Sequence, residues 1–278
     1  MTCATLAAFT KYPRESCIGK GRFNGVSTKK QGFTAEDQDL FAEVAEAVGL
    51  IRKDPVIAIW CRHPLAFLVE SADDICYRVI DIEDGFRLGH LAFQEVLDLF
   101  YPILPEPARQ KSRLDRISGD KEKIEYLRAK VISEAIGQVL SCFLDNEVEI
   151  MLGRFDEPLM NHISKRDEMK RLIEVATDKI YCAPEVVEIE TAGFQVVSEL
   201  LERFIQILDD VAEHGKAASP RSQMMVRLIP DQFIGPNRQP AQDAYTRLLR
   251  LTDFVSGMTD SYAVSLYKKV TGISLPDG

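Results

Sequence analysis

The chain has 278 residues, of which 46% are hydrophobic and 28% charged, and its net charge is −9. This composition is typical of a globular protein that is large enough to bury one or two cores. The negative charge and the lack of a long Lys/Arg run argue against a non-specific nucleic-acid binder, so an anionic ligand would need a local basic pocket or a metal ion.

The six cysteines lie mostly in apolar runs and form no Cys-x-x-Cys pair. We therefore expect reduced, buried thiols rather than a zinc cluster. The longest apolar run falls far short of a membrane span, and the N-terminus has no charged region followed by an apolar one, as a signal peptide would. The sequence thus predicts a cytoplasmic protein.

The first predicted helix covers residues 2–9, whose small apolar side chains would let another helix approach closely. It ends at Lys11-Tyr12-Pro13, where a lysine also complements the helix dipole. Residues 14–35 are rich in Gly, Ser, Lys and Arg and predict a loop. The basic residues of this loop are Lys20, Arg22, Lys29 and Lys30. Either it is a solvated loop or it is a lid over an anionic ligand.

A second amphipathic helix is predicted from Ala35 to Leu50, with Thr34 as its N-cap and Asp37 at the capping-box position. Residues 54–60 resemble a short strand, although they more simply lead into the helix that follows. Since no other stretch has the pattern of a strand, the sequence predicts an all-α fold.

The longest predicted helix runs from His63 to Gly89, because proline suits a first helical turn and glycine suits a helix end. A helical wheel places one polar stripe on it: Glu70, Asp73, Tyr77, Asp81 and Asp84. The opposite side holds Leu65, Leu68, Ala72, Ile75, Cys76, Val79, Ile82 and Phe86. The stripe is either a solvated face or the wall of a polar cavity, and periodicity does not distinguish the two.

Further helices are predicted over residues 90–101, 131–144, 146–165, 185–211 and 239–255. The apolar 131–144 segment is either buried or a subunit interface. A boundary is expected at Tyr181-Cys182-Ala183-Pro184. We expect His162 to be a structural histidine. Asp253, Asp260 and Tyr262 are interpreted as caps and buried hydrogen-bond partners.

Three stretches resemble one protein family. RHPLAFLVESADDICYRVIDIEDG (residues 62–85) resembles the last metal-ligand segment of the bacterial dGTPase-like proteins, which are HD-superfamily deoxynucleoside triphosphate triphosphohydrolases. CATLAAFTKYP (residues 3–13) resembles the segment ahead of that helix, and residues 252–276 resemble the C-terminal end. The resemblance implies an HD-type helical bundle over residues 1–175 and a helical phosphohydrolase-associated domain over residues 176–278.

The resemblance also implies a reaction, the hydrolysis of a deoxynucleoside triphosphate to the nucleoside and triphosphate with a divalent metal, Mg²⁺ or Mn²⁺. In this chain it makes Asp73 a metal ligand, Tyr77 the ring that packs on the sugar, and Asp81 the carboxylate for the 3′-hydroxyl. Lys11 is then a candidate phosphate contact. Lys30 is a second one, since Lys30 and the following Gly32-Phe33 resemble a KxGF-like segment of the family. The implied partners are the nucleotide and further copies of the chain, with no membrane and with nucleic acid at most as a regulator.

The chain departs from this family in its metal ligands. The family uses an upstream His, a His-Asp pair and a distant Asp, whereas this chain contains no His-Asp dipeptide. Its histidines lie in other contexts: His63, His90, His162 and His214. The catalytic, water-activating residue is therefore unknown, and we expect an N-terminally short form with an incomplete metal site. The alternative is a catalytically inactive helical subunit that binds nucleotide or serves in oligomer assembly.

Overall fold

The computed structural model describes residues 1–17 and 24–273, without the side chains of residues 107–110. Within these ranges the all-α prediction is confirmed, because the regular elements are helices and the strand-like contacts are isolated bridges. Two such bridges join Ile59 to Arg14 and Trp60 to Arg52. Residues 54–60 are thus an irregular lead into the long helix rather than a strand. No helix in the described part is both long and apolar enough to cross a membrane.

The chain divides into two compact units, Met1–Ala183 and Pro184–Gly278. The division falls at the boundary that Tyr181 to Pro184 predicts, and eight residues after the 175/176 limit expected from the resemblance. Proline at position 184 suits the division, since it opens a new helix in the first turn.

The first unit is built around one long central helix. In chain order its helices are α1 (Cys3–Phe9), α2 (Gln38–Ala47), α3 (Pro64–Arg87), α4 (Phe93–Phe100), α5 (Pro107–Leu114), α6 (Asp120–Asp145), α7 (Glu147–Met151) and α8 (Arg166–Ala176). Short 3₁₀ turns lie at Val26–Thr28, Tyr101–Ile103 and Leu159–Asn161, and a π-helical turn at Thr177–Tyr181 follows α8. The central helix α3 packs against α1, α4, α6 and α8.

Local sequence defines both ends of α3. His63 is its N-cap, and the His63 Nδ1 atom accepts a hydrogen bond from the Leu65 N–H at 3.2 Å. Pro64 occupies the first turn, where a backbone N–H would have no hydrogen-bond partner within the helix, so proline costs nothing there. Gly89, at φ +83°, follows the last turn in the left-handed region that glycine tolerates best. The predicted extent of this helix is therefore close to the observed one.

The second unit is built around one 31-residue helix, α9 (Pro184–His214). The shorter helices of this unit are α10 (Pro220–Met225), α11 (Asp231–Ile234), α12 (Ala244–Ser256) and α13 (Asp260–Thr271). Helices α10, α12 and α13 pack on α9, and the Phe204 and Phe254 rings meet in the core at 5.9 Å. Asp253, Asp260 and Tyr262 are exposed, and Thr259 rather than Asp260 caps α13, so the interpretation of these three as caps and buried partners is wrong.

Two helix predictions need correction. Helix α2 starts at Gln38, because the Thr34 hydroxyl donates to Asp37 Oδ2 at 2.6 Å instead of capping the helix. Residues 146–165 are not one helix. Gly153, at φ +68°, and Pro158 interrupt that stretch after α7, since the first takes a non-helical conformation and the second cannot donate a backbone hydrogen bond.

The expectation of buried thiols is also wrong for most of the cysteines. All six are free, and four are exposed: Cys3, Cys17, Cys76 and Cys182. Cys142 alone is buried, and Cys61 is half-buried. The reason is that an apolar run in sequence still turns every third or fourth residue of a helix to solvent.

Candidate functional site

Helix α3 carries most of the predicted site residues, but the residues of its polar stripe differ in how deeply they are buried. Asp73, Tyr77 and Asp84 face solvent, Asp81 is half-buried, and Glu70 is 6% exposed. The wheel misplaces Glu70 because α1 and the turn after it cover the first part of α3. It also misplaces Leu65, Ala72 and Cys76, which are exposed beside Val69 and Ile80. The open face of α3 is therefore half acidic and half apolar.

Glu70 belongs to a closed ring of three residues from three segments. Its Oε1 atom pairs with the Lys11 ammonium at 3.0 Å, and its Oε2 atom accepts from Arg62 Nη1 at 2.7 Å. Arg62 Nε then donates to the backbone carbonyl of Lys11 at 2.8 Å. Lys11 is thus held at its main chain and at its ammonium. The ring fixes this lysine against the first half of α3.

Burial strengthens the attraction between the charged groups of this ring, because water is largely excluded from Arg62 and Glu70. Arg62 is buried, and its guanidinium lies 5.8 Å from the Tyr12 ring centre and 5.3 Å from that of Phe67. Within the described part of the chain, Arg62 Nη2 has no hydrogen-bond partner. Partial burial lowers the pKa of Lys11, but the hydrogen bond and the charge of Glu70 outweigh it, so the pKa is raised overall. Two cations share one carboxylate, which leaves the ring with a net positive charge.

The two neighbouring aspartates on α3 differ in their partners. Asp74 Oδ2 pairs with Arg78 at 3.1 Å, one turn further along. Burial raises the pKa of Asp74, against the opposing charges of Arg78 and Lys11. Asp73 is exposed and has no hydrogen bond or ion pair to any residue that the structure describes. It is the free carboxylate of this turn.

The other predicted residues of α3 meet a tyrosine from the end of the first unit. The Tyr181 hydroxyl donates a hydrogen bond to Asp81 Oδ2. The Tyr77 ring, 61% exposed, lies 6.3 Å from the Tyr181 ring. Burial raises the pKa of Asp81, and the Tyr181 hydrogen bond opposes this while the charge of Asp84 adds to it. Burial and the hydrogen bonds to Asp81 and Tyr77 raise the pKa of Tyr181.

Lys30 lies on the surface, in a segment that packs on the Lys11 turn. A Cβ at Gly32 would lie 2.1 Å from the Tyr12 carbonyl oxygen, so the close approach requires glycine. Lys30 itself is exposed. Earlier in the loop, the Ser27 backbone N–H donates a hydrogen bond to Asp156 at 2.9 Å. The Asp156 carboxylate also accepts from Lys53 at 2.7 Å. The loop is therefore anchored at Ser27 and at Gly32. Its role as a lid stays a prediction. Lys20 and Arg22 lie outside the described residues.

Sequence reasoning missed three residues that the fold brings to this site. The helical wheel places Glu70 on the polar stripe with Asp73, and Arg62 enters only as the first residue of the segment that resembles the family. Their pairing was not visible, because it depends on Lys11 lying across them. Tyr181 is 100 positions from Asp81 in sequence, and no local pattern links the two.

A metal ion would need more donors than this site offers. No group of three or more His, Cys, Asp or Glu side chains among the described residues is placed to hold one. Glu70 and Asp74 already pair with cations, which leaves Asp73 as the free carboxylate of that part of α3 among the described residues. A divalent ion usually takes several protein oxygens. The residues described here do not form a metal site by themselves.

The chain matches one family model and several curated proteins. Residues 163–269 match the phosphohydrolase-associated domain. A protein of Synechocystis sp. named deoxyguanosinetriphosphate triphosphohydrolase-like is 41% identical over 99% of this chain and 60% of its own length. One of the same name from Listeria monocytogenes is 31% identical over the same shares. A deoxyguanosinetriphosphate triphosphohydrolase of Salmonella arizonae is 24% identical over 88% of this chain and 54% of its own length.

These similarities cover the chain more fully than they cover the relatives. The chain spans about 60% of the length of the Synechocystis and Listeria proteins. About two fifths of each relative therefore has no counterpart in these 278 residues.

Proposed function

The chain belongs to the dGTPase-like proteins of the HD superfamily, and from this membership we propose that it supplies part of the active site of a deoxynucleoside triphosphate triphosphohydrolase. The reaction would release the nucleoside and triphosphate. One observation carries the proposal. The Lys11–Arg62–Glu70 ring holds a cation beside the turn of α3 that bears Asp73, while Tyr77 and Asp81 follow along the same helix.

Each side chain has a proposed task that its chemistry suits. The Lys11 ammonium pairs with a phosphate oxygen, in a chain whose overall charge would otherwise repel a nucleotide. The exposed Tyr77 ring packs on the sugar and leaves no room for a 2′-hydroxyl. Asp81 accepts a hydrogen bond from the 3′-hydroxyl. Lys30 is a second candidate phosphate contact, since its segment packs on the Lys11 turn.

Asp73 is proposed as one ligand of a divalent ion, Mg²⁺ or Mn²⁺. Such an ion would polarise the phosphate and lower the pKa of an attacking water. Because one carboxylate cannot hold it, the remaining ligands would come from a His and a His-Asp pair outside these 278 residues.

The open face of α3 supports this division of the site. Leu65, Val69 and Ile80 are between 38% and 47% exposed, at helical spacing beside Asp73. An apolar stripe of this kind suits a packed helix better than water. We propose that the segment with the remaining metal ligands packs here. A homo-oligomer in the cytoplasm, as the family resemblance implies, is part of the same proposal.

Nucleotide binding by the chain tests the proposal directly. Isothermal titration with dGTP and GTP in the presence of Mn²⁺ should show a preference for dGTP. Lys11→Gln should weaken dGTP binding roughly tenfold or more, because it removes a contact to a charged group. Tyr77→Ala should reduce the preference over GTP.

The matched control is Lys170→Gln, which changes an exposed lysine of α8 whose one ion-pair partner in the described structure is Glu174, at 3.6 Å. It should leave both affinities unchanged. The proposal fails if the chain does not bind dGTP, or if Lys11→Gln binds it as well as the wild type. Binding without triphosphate release, even after the missing ligands are supplied, would favour the catalytically inactive subunit.

A further inference from the structure

The turn after α8 has an unusual geometry and carries a residue of the site. Thr177–Tyr181 is a π-helix, a form that appears mostly as single turns and often at functional sites. It ends on Tyr181, whose hydroxyl donates to Asp81 Oδ2 on α3. The extra residue in a π turn shifts the direction of the side chains that follow, so the turn determines where Tyr181 points.

Two further anchors hold this turn in place. The Lys179 ammonium pairs with Glu95 of α4, and Glu95 is itself fixed because its other oxygen accepts from the Ala92 N–H at 2.8 Å. Ile180 is buried against Gly85 of α3, where a Cβ would lie 2.5 Å from the Ile180 Cδ1 atom. The last three residues of the turn therefore each contact a different group.

The anchors on α3 also share one face of that helix. Asp81 and Gly85 are four positions apart, so the acceptor for Tyr181 and the site for Ile180 are neighbours on the helix surface. A glycine at position 85 leaves the space that Ile180 fills. The turn can thus approach α3 closely enough for the tyrosine hydroxyl to reach the carboxylate.

We propose that this π turn is a positioning device, and that Tyr181 holds the Asp81 carboxylate in the orientation that accepts the sugar 3′-hydroxyl. The inference rests on the proposed function, in which Asp81 takes that hydroxyl. Tyr181 occupies Oδ2, and Oδ1 receives no hydrogen bond from the residues that the structure describes. One carboxylate can accept at both oxygens. Tyr181 acts through Asp81 and is a positioning residue.

The test compares dGTP with 2′,3′-dideoxyguanosine triphosphate, which lacks the 3′-hydroxyl, by isothermal titration with the whole chain and Mn²⁺. The wild type should bind dGTP about tenfold more tightly or better, since the difference is one hydrogen bond to a charged group. Tyr181→Phe should weaken dGTP binding several-fold and leave the dideoxy nucleotide within about twofold, because it removes the hydroxyl and keeps the ring. Lys179→Met should act in the same direction with a smaller effect.

Tyr101→Phe is the control, since Tyr101 packs against the same core and forms no bond to Asp81. In the ligand-free chain, the Asp81 carboxyl ¹³C resonance should move in Tyr181→Phe and not in Tyr101→Phe. A wild type that does not prefer dGTP refutes the proposed role of Asp81 and this inference with it. A wild type that prefers dGTP refutes the inference alone if Tyr181→Phe keeps the preference, binds dGTP more tightly, or leaves the Asp81 resonance unmoved.

Discussion

At the scale of single residues, charge and burial divide the acidic side chains of α3 into two kinds. Glu70 and Glu83 are buried and each pairs with two cations, whereas Asp73 and Asp84 face solvent. A buried ion pair contributes little net stability, but breaking it leaves an uncompensated charge in a low-dielectric setting. The same helix therefore carries carboxylates whose removal should have very different consequences.

Glu70→Gln should lower the free energy of unfolding by about 3 kcal/mol, because the buried Arg62 then loses its counter-ion. Asp73→Asn, three positions along, should stay within about 0.5 kcal/mol of the wild type, as surface substitutions usually do. Urea denaturation followed by circular dichroism measures both. Equal effects of the two changes would contradict the assignment of Glu70 to a buried ring.

The stability of the chain should depend on the charge of Asp81. The pKa of Asp81 is raised in the folded state, mainly by burial. The folded chain therefore binds a proton at Asp81 more readily than the unfolded chain does. Stability contributed by the neutral carboxyl is therefore present at low pH and is lost as the pH rises from the unfolded pKa through the raised folded one. The ionisable groups that face Asp81 are Asp84, Tyr77 and Tyr181.

Asp81→Asn keeps an oxygen for the Tyr181 hydroxyl and removes the charge. Relative to the wild type, this variant should gain stability as the pH rises through that window and show no gain below it. Urea unfolding at several pH values between about 3.5 and 7 measures the difference. Asp167→Asn, at an exposed side chain of α8, is the control and should show no comparable trend. A difference that shrinks with rising pH would contradict the raised pKa.

At the scale of elements, α3 is a helix with one packed side and one open side. Ile75, Val79 and Ile82 are buried in the first core with residues of α6. The open side mixes Asp73 and Tyr77 with Val69 and Ile80. Helix α1 is similar, since Ala7 and Ala8 are buried while Phe9 is 78% exposed. Both helices present apolar surface to solvent.

Val69→Lys combined with Ile80→Lys should reduce this apolar surface without loss of stability. We expect the free energy of unfolding to stay within about 1 kcal/mol, since Val69 is 43% and Ile80 38% exposed. Binding of an apolar fluorescent dye and the tendency to aggregate should fall. Ile173→Lys, at an apolar side chain of similar exposure on α8, is the control and should change dye binding less. A large loss of stability in the double variant would mean that this face is packed.

At the scale of the whole molecule, the proposed function divides the site between this chain and the part of its longer relatives that this chain does not cover. The 278 residues contribute Lys11, Asp73, Tyr77 and Asp81 to the proposed site. They correspond to about 60% of the Synechocystis and Listeria proteins. We therefore expect that nucleotide binding, which uses residues of this chain, can be measured separately from the metal-dependent reaction, which needs further ligands.

The 278-residue chain by itself should not release triphosphate from dGTP with Mg²⁺ or Mn²⁺. The reason is that Asp73 alone cannot hold the ion that polarises the phosphate. A phosphate-release assay coupled to a triphosphatase measures this. A chimera that adds the His and His-Asp segment from a relative should be active, and Asp73→Ala should abolish that activity. Robust turnover by the unmodified chain would show that the proposed metal site is wrong.

Several features followed from the sequence alone because their causes are local. The all-α fold and the length of α3 depend on periodicity, on Pro64 in the first turn and on Gly89 at the end. The unit boundary follows from the same kind of signal at Pro184. The resemblance to the dGTPase-like proteins is likewise visible in short stretches of sequence, because comparing sequences requires no knowledge of which residues are in contact.

The tertiary structure decided which side chains of those helices meet. Glu70 lies on the same wheel stripe as Asp73, yet α1 covers one and leaves the other in water, because burial depends on the neighbouring element and not on the period. Tyr181 reaches Asp81 only because Gly85 leaves space for Ile180 in the π turn. Such pairings join residues far apart in sequence, so no local propensity encodes them, and the chain's fold alone determines them.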